Sequence, residues 1–218
     1  MPMEPLRILY EDAHLVLCVK PVGVLSEDSD AGACMPALLR QELHTECIRT
    51  VHRLDAPVSG LMVFARSAYA AGDLSRQIRE GTFKKHYLAV LRGAPPEREG
   101  TLTDLLARDK ETRLTHVVTT REQGVQEARL RYRVLDSRAG LTLVRVQLLT
   151  GRTHQIRVQF SSRGLPLVGD RRYGLADDPV SPIALWSAHL SFRHPETGAE
   201  MTFDRQPPAI PPWDVFGI

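Results

Sequence analysis

Residues 51–66 read VHRLDAPVSGLMVFAR, a polar stretch that gives way to an almost wholly apolar one. GLMVFARS at 60–67 predicts a buried strand. Pro57 and Gly60 predict a fixed loop before it, carrying Asp55 in the close company of His52 and Arg53. A loop anchored on a rigid apolar strand is how a scaffold presents one side chain accurately, and here that side chain is Asp55. A lone aspartate before a strand is more often a turn former. Its neighbours are what favour chemistry.

Working toward the N-terminus, RILYEDAHLVLCVKP predicts two short strands joined by the polar turn Glu11–His14 and ended by Pro21. A helix is predicted over about 36–46. Toward the C-terminus, Ser67 is a helix N-cap followed by the apolar face Ala70, Ala71, Leu74 and Ile78, with Gly81 as the stop. Further strands are predicted in FKKHYLAVLRG, LTHVVTT, ARLRYRVLDS and LTLVRVQLLT, the last two joined by the hairpin-like SRAG. ARLRYRVL and TLVRVQLL alternate apolar with basic or polar residues, which implies an antiparallel sheet with one covered face. THQIRVQFSSRG at 153–164 predicts a short helix with Gly151 and Thr153 as start signals, and strands return in ALWSAHLSFRHP and EMTF. Strands with loosely interspersed helices and no βαβα rhythm define an α+β fold with a large mixed or antiparallel sheet.

Composition narrows the function. The 218 residues are 43% hydrophobic and 25% charged, within the globular range and against disorder. No apolar run is long enough for a membrane helix, and the acids and proline near the start predict no secretory signal. The three cysteines, Cys18, Cys34 and Cys47, match no zinc or redox spacing, so reduced thiols in a cytoplasmic protein are expected. Residues 1–50 hold four bases against eight acids, so the basic excess lies downstream. Of 28 basic residues 24 are arginine, a bias that suits nucleic acid and equally suits a G+C-rich genome. The bases cluster twice, at Arg76, Arg79, Lys84, Lys85, His86 and Arg92, and at Arg152, His154, Arg157, Arg163, Arg171 and Arg172.

The second cluster lies in LLTGRTHQIRVQFSSRGLPLVGDRRYG at 148–174, where His154 and Arg157 share a face if the segment is helical. A solvated basic face would explain this cluster alone. The motifs H-R-L-D-x-x-x-S-G-L at 52–61, K-x-Y-L-A-V-L-R-G at 85–93 and G-R-T-H-Q-I-R-V at 151–158 occur in that order. With L-V-L-C-V-K-P-V-G-V at 15–24 and A-H-L-S-F-R-H-P-E-T-G at 188–198, the chain resembles the RluA-type family of RNA pseudouridine synthases over about residues 6–204.

The resemblance implies the pseudouridine-synthase catalytic fold, a bent sheet with flanking helices; a single domain over 1–218 is expected and, with five residues ahead of the strand at Leu6, no N-terminal S4 domain. It implies that Asp55 is the catalytic aspartate and that Arg53 helps flip the target nucleotide. It further implies that Tyr87 stacks on the flipped base, that Ile156 flanks that base, and that Arg157 pairs with the aspartate. His52, Lys85, Arg152, His154 and Gln155 stand inside the same motifs and are expected to touch RNA or base. Val58 stands where the family has threonine, Gln159 where it has histidine, and Val22 and Val24 vary the opening segment.

Isomerising uridine moves no electrons to or from an outside group, so no cofactor and no metal is expected. The expected partner is a stem-loop of ribosomal or transfer RNA, with no membrane, no obligatory protein partner and a monomeric enzyme. The competing reading is a noncatalytic RNA-binding module on the same fold. An aspartate facing RNA phosphates argues against it. A hydrolase would need a positioned nucleophile, and no G-x-S-x-G is present.

Overall fold

The computed structural model describes residues 6–180 and 182–218. The first elements are β1 (Arg7–Glu11), β2 (Leu15–Lys20), α1 (Met35–Glu42), β3 (Arg49–Thr50), β4 (Ser59–Ala65) and α2 (Ala68–Glu80). Then come β5 (Lys84–Arg92), β6 (Glu99–Arg108), β7 (Thr115–Val118), β8 (Gln126–Arg138) and β9 (Leu141–Leu148). The chain continues through α3 (Gln155–Ser161), β10 (Leu185–Arg193) and β11 (Glu200–Asp204) to a 3-10 turn at Asp214–Phe216. The fold is α+β, and the chain divides into two compact units.

The first unit comprises Met1–Lys85 with Trp186–Arg205. Its sheet is mixed. β2 pairs antiparallel with both β1 and β4, β4 pairs parallel with β10, and β11 runs antiparallel to β10. β4 is buried along its whole length, as its apolar run requires. α2 closes one face with Ala70 and Leu74 against Leu15, Leu17, Leu61, Val63 and Leu190. Each large apolar side chain so buried contributes about 1.5–3 kcal/mol. The helix begins where Ser67 Oγ accepts from Ala70 N and ends at Gly81, whose φ of 71° is left-handed.

The parallel pairing of β4 with β10 demands a glycine. Gly60 lies opposite Ser187 with φ +118°, and a Cβ there would meet the Ser187 backbone oxygen at 2.4 Å. No other residue tolerates both conditions.

The second unit comprises His86–Leu185 with Gln206–Ile218. Its strands pair antiparallel in the order β5, β9, β8, β6, β7. SRAG makes the predicted tight turn between β8 and β9, with Ala139 and Gly140 both at positive φ. α3 covers one face: Phe160 meets the Tyr132 ring at 5.7 Å, and Val158 packs with Leu106 and Ala128. The proline-rich tail buries Trp213 and Phe216.

Three expectations need correction. α1 spans 35–42 rather than 36–46, because His44 takes a left-handed φ of 48°. α3 starts at Gln155 behind a left-handed His154, so neither Gly151 nor Thr153 caps it. The sequence pattern predicts no strand where β6 runs. Its inner face carries Gly100 and Asp104 where alternation calls for apolar residues.

Candidate active site

In the first unit the sequence around Asp55 is tethered on both sides. The Ser26 hydroxyl donates to Leu54 O at 2.6 Å and accepts from Leu54 N at 3.0 Å. On the other side, Ala56 O accepts from Gly23 N at 2.8 Å and from Lys20 Nζ at 3.1 Å. Lys20 also donates to Pro21 O and Val24 O, so all three ammonium protons are used in a site closed to solvent. Burial draws its pKa down to about 8, and the charge of Asp55 opposes that shift. A turn from Asp55 O to Val58 N completes the loop, and Asp55 itself is partly exposed. The residue is thus presented, with both neighbouring peptides fixed.

Arg53 points outward, its Nη1 3.1 Å from Glu27 Oε2, in a pair exposed enough to add little stability. His52 lies the opposite way. It is buried, its ring 5.6 Å from that of Phe83, and its Nε2 accepts from Val63 N at 3.1 Å. That bond places the imidazole proton on Nδ1, which has no partner. Burial, helped by the charge of Lys85, pushes the His52 pKa down to about 3. His52 therefore registers β4 as a neutral core residue. Lys85 is partly buried, with its pKa lowered by that burial.

The remaining expected site residues belong to the second unit. Tyr87 is buried on β5 opposite Val146, on the sheet face that α3 covers. Gln155, Ile156 and Arg157 are buried in the first turn of α3. Gln155 is a tie: Oε1 accepts from Thr150 Oγ1 and Arg152 N, and Nε2 donates to Arg129 O. Arg152 Nε is spent on Glu127 O at 2.9 Å. His154 Nδ1 lies 2.6 Å from the Tyr173 hydroxyl, which also accepts from Thr115 N.

Two residues of this assembly were not singled out from sequence. Asp170 grips the Arg157 guanidinium, Nε to Oδ2 and Nη2 to Oδ1, each at 2.8 Å. Asp170 Oδ1 also accepts from Arg172 N and Tyr173 N, so the carboxylate is itself fixed. Tyr173 lays its ring 5.0 Å from the guanidinium carbon. The signal lay in GDRRY at 169–173, where an acid stands among the bases. The unusual residues at 58 and 159 are both interior: Val58 is core, and Gln159 donates to Asp104 Oδ2 and Ala128 O.

The Asp55 loop lies in the first unit, and Tyr87 and the Arg157–Asp170 pair lie in the second. Residues 14–162 match the sequence profile of the RNA pseudouridylate synthase family, and the chain belongs to that family. It is 36% identical to ribosomal large subunit pseudouridine synthase D of Nitrosomonas europaea across 89% of this chain and 60% of that enzyme. The chain thus spans less than two thirds of that relative. It is 33% identical to the dual-specificity RNA pseudouridine synthase RluA of Haemophilus ducreyi, across 94% of this chain and 96% of that one. The solved structure of human RNA pseudouridylate synthase domain containing 1 matches 98% of this chain and 90% of its own, with a TM-score of 0.79 at 28% identity.

Proposed function

We propose that this chain converts uridine to pseudouridine in structured RNA with Asp55 as its catalytic carboxylate. The bond from uracil N1 to ribose C1′ breaks, the base turns over, and C5 bonds to C1′. The proton on C5 is lost and N1 gains one, so nothing is oxidised, reduced or hydrolysed. A carboxylate beside C1′ favours departure of the base, whether it attacks the carbon or offsets its growing charge. Tyr87 and Ile156 are assigned the walls of the uracil pocket, where a dry surface suppresses hydrolysis of the detached sugar. Arg157 is assigned the site's cation, and Arg53 the place that the flipped nucleotide vacates, since the base must leave its stack to react.

The observation that carries the reading is the double tether of the Asp55 loop, Ser26 on Leu54 and Lys20 on Ala56. A turn-forming aspartate needs no such fixing. Among the described residues no helix is long and apolar enough to cross a membrane. We take the enzyme to be cytoplasmic and its RNA to be ribosomal or transfer RNA.

Asp55→Asn is nearly isosteric and removes only the charge. It should bind RNA like the parent yet release no tritium from RNA labelled at uracil C5. Tritium release by the variant at the parental rate would remove Asp55 from the chemistry. Failure of the parent on every ribosomal and transfer RNA tried would favour the noncatalytic module.

A further inference from the structure

Most arginines of the two sequence clusters turn out to be engaged. Arg76 pairs with Asp73 and Glu80, Arg92 with Asp178, Arg157 with Asp170, and Arg163 with Asp104. Arg152, Arg171 and Arg172 donate to backbone carbonyls. These side chains already have partners within the protein. Uncommitted positive charge lies elsewhere, in the strands whose alternation marked them as one-sided sheet.

On β8 the even positions Ala128, Leu130 and Tyr132 are buried, and the odd positions Arg129, Arg131 and Arg133 are exposed. The register brings β9 Arg145 directly opposite Arg133, with Gln147 opposite Arg131. On the other side of β8, β6 presents Glu99, Thr101 and Thr103 opposite Arg133, Arg131 and Arg129. Two acids share this face, Glu99 and Glu127, and Glu99 lies beyond ion-pair distance of Arg133. Among the described residues no carboxylate comes within 4.0 Å of Arg131, Arg133 or Arg145, and Arg129 reaches Glu127 only at 3.9 Å. Like charges directly opposite on one sheet face destabilise the pairing. Four arginines, one facing another, are therefore a costly way to solvate a sheet, and the cost falls when an anion covers them.

We infer that Arg129, Arg131, Arg133 and Arg145 form a second RNA-binding surface, which takes the phosphate backbone of a helical segment flanking the target. Charge complementarity selects this occupant. Alternate residues of a strand stand about 7 Å apart, on the order of the spacing between consecutive backbone phosphates. Between them lie Thr101, Thr103 and Gln147, with His86 and Leu88 of β5 at the margin and no phenylalanine, tyrosine or tryptophan among the strand positions of this face to serve as a platform for unstacked bases. It therefore suits a paired stretch, recognised by backbone and shape. The face lies opposite the one that α3 and Tyr87 occupy on the same sheet, so it holds RNA other than the reacting nucleotide. This inference rests on the reading that the chain acts on RNA.

The test is a titration of a mixed-sequence RNA duplex at several salt concentrations. It compares the parent with the triple variants Arg131→Gln/Arg133→Gln/Arg145→Gln and Arg131→Lys/Arg133→Lys/Arg145→Lys. Removing one arginine–phosphate pair lowers the slope of log affinity against log salt by roughly 0.7–0.9. The glutamine triple should lose about two units of slope and at least tenfold in affinity at low salt, while the lysine triple keeps most of both. Melting temperature serves as the control and should not fall. A glutamine triple with parental slope and affinity overturns the inference. So does a glutamine triple that loses only its binding to poly-L-glutamate, which would make the surface a site for acidic polypeptides. Because the readout is binding, it stands apart from tritium release. Parental turnover with an unchanged slope sinks this surface alone, and a changed slope without any turnover sinks only the enzymatic reading.

Discussion

Asp170 holds Arg157 side-on, Nε to Oδ2 and Nη2 to Oδ1, both at 2.8 Å, with the two side chains almost wholly shielded from solvent. A bidentate pair of this kind fixes the plane of the guanidinium as well as its position. Tyr173, placed by its own N–H on Asp170, flanks the cation. The guanidinium is thereby held in one plane beside the Tyr173 ring.

Asp170→Asn keeps the shape and removes the charge from this clamp. We expect a lower melting temperature and a single-turnover rate reduced by roughly tenfold to a hundredfold, the usual cost of a group misplaced by about 1 Å. RNA affinity should change much less. Asp170→Ala strands a buried cation and should destabilise the protein by about 3–5 kcal/mol. An Asn variant with parental rate would make the clamp purely structural.

Tyr87 is assigned the ring under the uracil. Tyr87→Phe preserves the stacking face, so it should bind RNA normally while forming product slowly or stalling with the base already detached. Tyr87→Ala should in addition weaken RNA binding by about 1–3 kcal/mol, the value of one base–aromatic stack. Single-turnover rates and melting temperatures of both variants separate this role from that of a core tyrosine. In a purely packing role Phe would be fully active and Ala merely less stable.

His52 gives the fold an acid-sensitive point. Its folded pKa of about 3 lies below the ordinary 6.5, so the unfolded chain takes up the proton first. The contribution of neutral His52 is complete above about pH 6.5 and declines as the pH falls from there toward 3. His52→Gln retains an acceptor for Val63 N and cannot titrate. The parental advantage in melting temperature should therefore shrink steadily between pH 7 and pH 4. A constant gap across that range would contradict the buried neutral imidazole.

Gly60→Ala places a methyl group against the Ser187 backbone at a left-handed φ. Backbone cannot yield as a flexible side chain can. The variant should be destabilised by more than about 3 kcal/mol and should be recovered largely insoluble. Thermal melting close to the parental value would show that β4 and β10 can part locally.

Where structure followed local rules it was legible in sequence. α2 carries its whole specification in Ser67, the apolar stripe and Gly81, and the SRAG turn needs only its own four residues. β6 escaped notice because its inner face is built for distant partners. Gly100 leaves room for the Tyr132 ring, and Asp104 reaches Gln159 and Arg163. The site divides in the same way. The motif carrying Asp55 stands out within a few residues, but the groups fixing it act across 28 and 36 positions, from Ser26 and Lys20. His52, read from its motif as an RNA contact, is turned inward by a bond that composition does not encode.

Lys20 also offers a clock for motions of the Asp55 loop. Its ammonium is sealed beneath three carbonyls, so an amine-reactive reagent can modify it only when residues 21–24 separate from Ala56. The chain has three further lysines, Lys84, Lys85 and Lys110, of which Lys84 and Lys110 are exposed and provide internal standards. Mass-spectrometric acylation rates at Lys20 relative to those two would report how often the loop opens. A slower rate in the presence of RNA would reveal a polynucleotide closing the loop from outside.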